Sequence, residues 1–269
     1  MLLKQDIGRR DLTTNYLLKE NKNISAKIAA KEDGIFAGLQ EFGLLNTDSK
    51  IKPFKNDGDR IRKGDVLIEI NGSAKKILER ERISLNILQR MSGIATSTNI
   101  LNKKLRNNAK LAATRKTLWG NIDKRAISVG GGLTHRLNLS DGIIIKDNHL
   151  KILKWDFEKA LNFTKNKTRY LEIEIENKKD ALSVARIIKK LSNNENLFAI
   201  MLDKIPPKEV KIIIQDLKNQ DLHDYALLEA SGNINSENLI EYAGCGADVI
   251  SMGCITNSAN ALNMSLEIK

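Results

Sequence analysis

The stretch from Ala113 to Leu150, ATRKTLWGNIDKRAISVGGGLTHRLNLSDGIIIKDNHL, concentrates the residues of this chain that could do chemistry. It carries Arg115, Lys116, Lys124, Arg125, Arg136 and Lys146 against only Asp123, Asp141 and Asp147, and it holds His135 and His149. Gly130, Gly131 and Gly132 lie among them. Arginine pairs with carboxylates and phosphates through a planar fork, lysine acts as a point charge, and glycine lets backbone approach a ligand closely. A dense cationic set of this kind reads as a site for a polyanionic small molecule.

The elements around it must bring these groups together. From Lys110 onward, short apolar runs alternate with longer segments: KLAAT (110–114), GIIIK (142–146), YLEIEI (170–175), FAIML (198–202), YALLEA (225–230) and ADVISM (247–252). DALSVARIIKKL (180–191) and PKEVKIIIQDLKN (207–219), which lie between, are amphipathic. Repeated strand-helix units imply a parallel sheet with right-handed crossovers, and the economical closure is an α/β barrel, open or incomplete. Polar residues then fall at the carboxyl ends of the strands: Arg115 and Lys116, Lys146, Glu174 and Glu176, Asp203, Glu229 with Ser231 and Gly232, and Gly253. Barrel enzymes place their sites at that face.

The period of two along YLEIEIEN puts Glu172, Glu174 and Glu176 on one face of a strand. Buried carboxylates need partners, either the cations above or a divalent ion held together with Asp203. At a strand end Asp203 suits a metal, a ribose hydroxyl or the cap of a following helix. EASGNI (229–234) and SMGCIT (251–256) supply small residues and backbone N–H groups after the last two strands, where barrels often bind phosphate.

Residues 1–106 read as a separate α+β module and 107–269 as the barrel, with the extreme carboxyl end free to pack back on the first domain. In the module ISAKIAA (24–30), GIFAGL (34–39) and DVLIEING (65–72) read as strands. Ala74–Met91 has helical spacing, and a Ser-Gly break before 92–105 separates a second helix.

Of the 269 residues, 44 are basic and 33 acidic, a net charge of +11 that would suit nucleic acid, a membrane surface or acidic metabolites. The lysines are dispersed and aromatics make up only 4%, so platforms for stacking single strands are poorly supplied. Charges in the first turns argue against a secretory signal, and no apolar run is long enough for a membrane span. Cys245 and Cys254 read as small core residues in a reducing cytoplasm.

TRKT (114–117), GGGLTHR (130–136), DGIIIKDNH (141–149), LEIEIEN (171–177), IMLD (200–203) and LEASGNI (228–234), in this order, resemble the quinolinate phosphoribosyltransferases, the carboxylating nicotinate-nucleotide pyrophosphorylases. ERISLNILQRMSGIAT (81–96) and DLTT (11–14) resemble that family's first-domain motifs. The resemblance covers essentially the whole chain. It implies an amino-terminal α/β sandwich followed by an open α/β barrel, in a cytoplasmic homodimer whose active site is shared between subunits. The implied reaction moves the phosphoribosyl group of phosphoribosyl pyrophosphate to quinolinate with loss of carbon dioxide, in NAD biosynthesis.

Carried across by motif, Arg115, His135 and Arg136 would contact the pyridine dicarboxylate, with Arg82 reaching in from the other subunit. Lys116 and Lys146 would stand between the two substrates. Glu174 and Asp203 would hold ribose hydroxyls or Mg²⁺, and Ser231, Gly232 and Gly253 would line the 5′-phosphate site. The chain departs from the family pattern at Leu118-Trp119-Gly120-Asn121, about two residues shorter and without an arginine, and at Asn233, Asn257 and Arg10. His149 reads as structural. Transfer to nicotinate without decarboxylation, nucleic-acid binding, and a carrier module suggested by GDRIRKGDVLIEING (58–72) are the competing readings.

Overall fold

In β1 (Asn23–Ala30) alternate residues turn inward, and Ala26, Ile28 and Ala30 are fully buried. This period of two makes one face of an antiparallel sheet apolar. Described here are residues 2–165, 167–192 and 196–269 of a computed structural model. It divides into two compact units that interleave in sequence: one takes the chain up to Asn99 with Arg125–Gly131 and Ala259–Lys269, the other Ile100–Lys124 with Gly132–Ser258.

The first unit also contains β2 (Gly34–Ile35), β3 (Lys50–Pro53), β4 (Arg60–Ile61) and β5 (Val66–Ser73). Its main sheet runs in the order Met264–Ile268, β1, β5, β3, all antiparallel. Ile28, Leu67, Ile68 and Ile70 of the sheet pack with Phe36, Phe42, Ile77, Leu85 and Leu88. Burial of each such side chain contributes about 1.5–3 kcal/mol.

Two expectations fail in this unit. GIFAGL is not one strand: only Gly34 and Ile35 pair, with β4. Gly38 adopts φ +108°, and Asp57 Oδ1 accepts the N–H groups of Gly38 and Leu39 at 2.9 Å each, which opens a helix at Leu39–Leu45. Nor is there a break at Ser92-Gly93. Ala74–Leu105 is one helix of 32 residues. Ser92 donates to the Ala37 carbonyl and accepts from the Ala37 N–H, and a Cβ on Gly93 would stand 1.9 Å from the Asn260 carbonyl oxygen. The pair permits close backbone approach on an intact helix, which local propensity alone cannot distinguish from a break.

In the second unit β6 (Lys110–Ala113), β7 (Ile143–Ile145), β8 (Tyr170–Ile175), β9 (Leu197–Asp203), β10 (Leu227–Ser231) and β11 (Val249–Met252) form one parallel sheet in the order β6, β11, β10, β9, β8, β7. β6 and β7 are consecutive in sequence yet occupy opposite edges, so the α/β barrel is open. The free edge of β6 is partly covered by Leu133, whose carbonyl accepts from Ala113 N at 2.9 Å and whose N–H donates to the Leu111 carbonyl at 2.8 Å. In β8 the side chains of Ile173 and Ile175 are buried on one face, and Glu172 and Glu174 on the other. No helix among the described residues is long and apolar enough to cross a membrane.

Candidate active site

The residues after β6 turn at once, because Lys116 N–H donates to Thr114 Oγ1 at 3.1 Å and Thr117 N–H to the Arg115 carbonyl at 3.0 Å. Thr256 Oγ1, beyond β11, donates to the Lys116 carbonyl at 2.7 Å. Arg115 and Lys116 are thereby held at a strand end with exposed side chains. The short Trp119 segment is closed by Asp123, which accepts from Thr117 Oγ1 and from Trp119 N–H.

A cavity of about 420 Å³ lies at the carboxyl ends of the strands. Arg115, Lys116, His135 and Arg136 line it, as do Lys146, Glu174, Asp203, Ser231 and Gly232. Gly253 is not on the wall. It stands beside Lys116, where a Cβ would come within 3.1 Å of the lysine Cδ. Arg82 is exposed on the helix Ala74–Leu105 of the first unit. Arg125, counted among the cations of the opening stretch, pairs instead with Glu41 at 3.0 Å and Asp57 at 2.8 Å.

Glu174, Glu176 and Asp203 bring carboxylate oxygens within 4.8 Å of one another. Oxygen donors so grouped suit a hard divalent cation. Lys146 Nζ lies 2.6 Å from Glu174, and Lys204 Nζ lies 3.0 Å from Glu176 and 3.1 Å from Asp203. Hydrogen bonds donated to Glu176 and then to Asp203 push the Lys204 ammonium up from its ordinary range. Asp203 does not cap a helix: the next one, Pro207–Asn219, begins after Pro206.

His135 has φ +54°, and its Nδ1 accepts the Arg136 N–H at 2.8 Å. In the neutral ring the proton is therefore on Nε2, which lies 3.2 Å from Glu172 and 3.3 Å from Glu229. The ring N–H points squarely at neither carboxylate, so these contacts are ionic more than directed. Burial opposes charge on His135, but the Glu172 and Glu229 carboxylates beside it prevail and lift it to about 9. Burial and then Glu229 raise Glu172. Both shifts come from one arrangement, a buried imidazole set between two carboxylates. Its spacing would also suit a metal, but a ring nitrogen that carries a proton is not a ligand.

At the far end Ser251 Oγ donates to Ser231 Oγ at 2.9 Å, and Gly232 adopts φ +86°. A Cβ on Gly232 would stand 2.5 Å from Lys204 N, so the loop needs glycine there. Asn233, where the family pattern has another glycine, is also left-handed at φ +56°. Asparagine tolerates that region better than most residues. His149 Nδ1 accepts the Lys146 N–H at 2.9 Å and caps the helix Asp147–Ile152.

Lys204 was not singled out from the sequence, and Glu172 and Glu229, picked out by their strand positions, were given no role in the site. The period-two face of β8 already pointed to Glu172. Nothing in the sequence marked Lys204, because a lysine after a strand is ordinary, nor showed that His135 would meet two glutamates from different strands.

Models of the quinolinate phosphoribosyl transferase family match the chain twice, the amino-terminal domain over residues 11–92 and the carboxyl-terminal domain over residues 94–267. The probable carboxylating nicotinate-nucleotide pyrophosphorylase of Archaeoglobus fulgidus is 37% identical over 92% of this chain and 95% of its own. That of Methanothermobacter thermautotrophicus is 34% identical over 100% of this chain and 96% of its own. The crystal structure of NadC from Streptococcus pyogenes superimposes with a TM-score of 0.85 at 30% identity, covering 99% of this chain and 94% of that one.

Proposed function

Because the chain belongs to the quinolinate phosphoribosyltransferase family, we propose that it transfers the phosphoribosyl group of phosphoribosyl pyrophosphate to quinolinate and releases carbon dioxide. The products are nicotinate mononucleotide and pyrophosphate, in NAD biosynthesis. The observation that carries this reading is one cavity walled by the Arg115 and Arg136 cations and by the Glu174 and Asp203 carboxylates. One group matches an acceptor with two carboxylates, the other a sugar phosphate with hydroxyls and a metal.

Arg115 and Arg136, with the ring of His135 beside them, orient the acceptor so that its ring nitrogen faces the anomeric carbon. Lys116 and Lys146 offer positive charge between the two substrates, where pyrophosphate leaves and an oxocarbenium-like centre forms. Fixed charge of this kind needs no reorganisation during the reaction and is usually the largest catalytic contribution. Ser231 and Gly232 receive the 5′-phosphate, and Gly253 stands beside Lys116. When the ring carboxylate departs as carbon dioxide, the electron pair left on the ring is stabilised by the adjacent pyridinium and the surrounding cations until that carbon takes a proton from water. No covalent nucleophile is required.

The three carboxylates Glu174, Glu176 and Asp203 fit Mg²⁺ by donor type and spacing. Glu174 and Asp203 would hold it, and when bound it supplies charge neutralisation to the leaving pyrophosphate. We read the active unit as a homodimer in which Arg82 of the partner subunit completes the acceptor end, and the compartment as cytoplasm, where the free Cys245 and Cys254 thiols stay reduced. An assay with quinolinate, phosphoribosyl pyrophosphate and Mg²⁺, with nicotinate as competing acceptor, tests the reading. Turnover of nicotinate in preference to quinolinate would reject it.

A further inference from the structure

Lys124 is only 1% exposed, and lysine is almost never buried so fully unless its charge is matched. Its Nζ donates to the Thr134 carbonyl, immediately before His135 and Arg136. The preceding residue, Asp123, is also fully buried and accepts from Thr117 and Trp119, on the segment that leaves Arg115 and Lys116. One helix start, Asn121–Val129, thus grips both arms of the acceptor end: Asp123 holds the segment after β6, and Lys124 holds the segment before β7.

Resting on the function proposed above, we infer that Lys124 is a positioning residue for acceptor recognition. Its buried ammonium fixes the Thr134–Arg136 arm relative to Arg115 and adds positive charge behind both arginines. The pair is thereby set for an aromatic acid with two neighbouring carboxylates.

The charged groups facing Lys124 are Arg115 after β6, Arg136 and Asp141 before β7, and Glu229 on β10; Asp123 adjoins it on its own helix. Burial first, then Arg115 and Arg136, bring Lys124 down to about 8 against the opposing pull of Glu229 and Asp141. The ammonium is charged below that pH and lost above it, so acceptor affinity should fall as pH rises through 8, and a bound dianion should draw the proton back.

The test is the quinolinate KM of the full-length enzyme from pH 7 to 9.5. In the wild type it should rise about tenfold across that range, the order expected for one charge contact in a partly desolvated site. Lys124→Met should show the raised KM already at pH 7, with the KM for phosphoribosyl pyrophosphate within about threefold of wild type. Lys124→Arg should recover most of that loss and remove the part of the alkaline rise centred near pH 8, since guanidinium stays charged, leaving the part near pH 9 that belongs to His135. An alkaline rise that persists unchanged in Lys124→Arg overturns the inference. If the variants do not fold, calorimetry of quinolinate binding to the wild type from pH 7 to 9.5, in buffers of different ionisation enthalpy, decides it: proton uptake greatest near pH 8, below the range in which His135 titrates, supports the inference, and uptake that is absent there or greatest near pH 9 overturns it. A wild type that turns over quinolinate but gives either negative result loses only this inference, whereas one inactive on quinolinate at every pH loses the functional reading as well.

Discussion

Replacing Arg136 tests the acceptor end proposed above. Arg136 Nη1 donates to the Gly142 carbonyl at 2.9 Å, which fixes the guanidinium plane, and the residue lines the cavity. A hydrogen bond to a charged group contributes about 1.5–3 kcal/mol. At about 2 kcal/mol, Arg136→Ala should raise the quinolinate KM roughly thirtyfold. The same truncation strands the Gly142 carbonyl at a cost of about 1 kcal/mol, which appears in thermal stability and not in substrate affinity. Arg136→Lys keeps the charge but cannot anchor at Gly142 and present a fork together, so it should lie between wild type and Arg136→Ala. Steady-state kinetics at saturating phosphoribosyl pyrophosphate, with quinolinate varied, separates these effects, and the KM for the sugar donor should stay within about threefold. Near-wild-type quinolinate affinity in Arg136→Ala would refute the assignment of the acceptor end.

Gly232→Ala places a Cβ against Lys204 N in a left-handed loop. At about 1–2 kcal/mol of backbone strain, the KM for phosphoribosyl pyrophosphate should rise about tenfold while that for quinolinate holds, and an equal rise in both would argue against a phosphate loop. Asp203→Asn should increase the Mg²⁺ needed for half-maximal rate by about tenfold or more; an unchanged Mg²⁺ curve contradicts the metal assignment. Gly93→Ala forces a methyl into the Asn260 backbone and should lower stability by about 1–3 kcal/mol in a thermal melt, whereas an unshifted melting temperature would show that the helix does not need this close approach.

The barrel was legible because its strands carry long-range information in a local pattern. YLEIEI reads as a strand buried on both faces, and the structure places β8 over Tyr170–Ile175. Strand ends followed from this, and with them most of the cavity wall, since in a parallel barrel every strand presents its carboxyl end to one face. What the sequence hid depends on contacts between distant residues. Ser92-Gly93 resembles a helix break until Ala37 and Asn260 are seen against it. Lys124 and Arg125 are adjacent cations of equal appearance, yet one is buried under Thr134 and the other pairs with Asp57. The two glutamates that flank His135 come from β8 and β10, separated in the sheet by β9. No local periodicity could have joined them.

The most direct test of the central claim uses quinolinate labelled in the ring carboxylate that leaves, with phosphoribosyl pyrophosphate and Mg²⁺. Equal amounts of labelled carbon dioxide and pyrophosphate should appear, and unlabelled nicotinate should not compete. Pyrophosphate release without labelled carbon dioxide, or preferential consumption of nicotinate, would contradict the account.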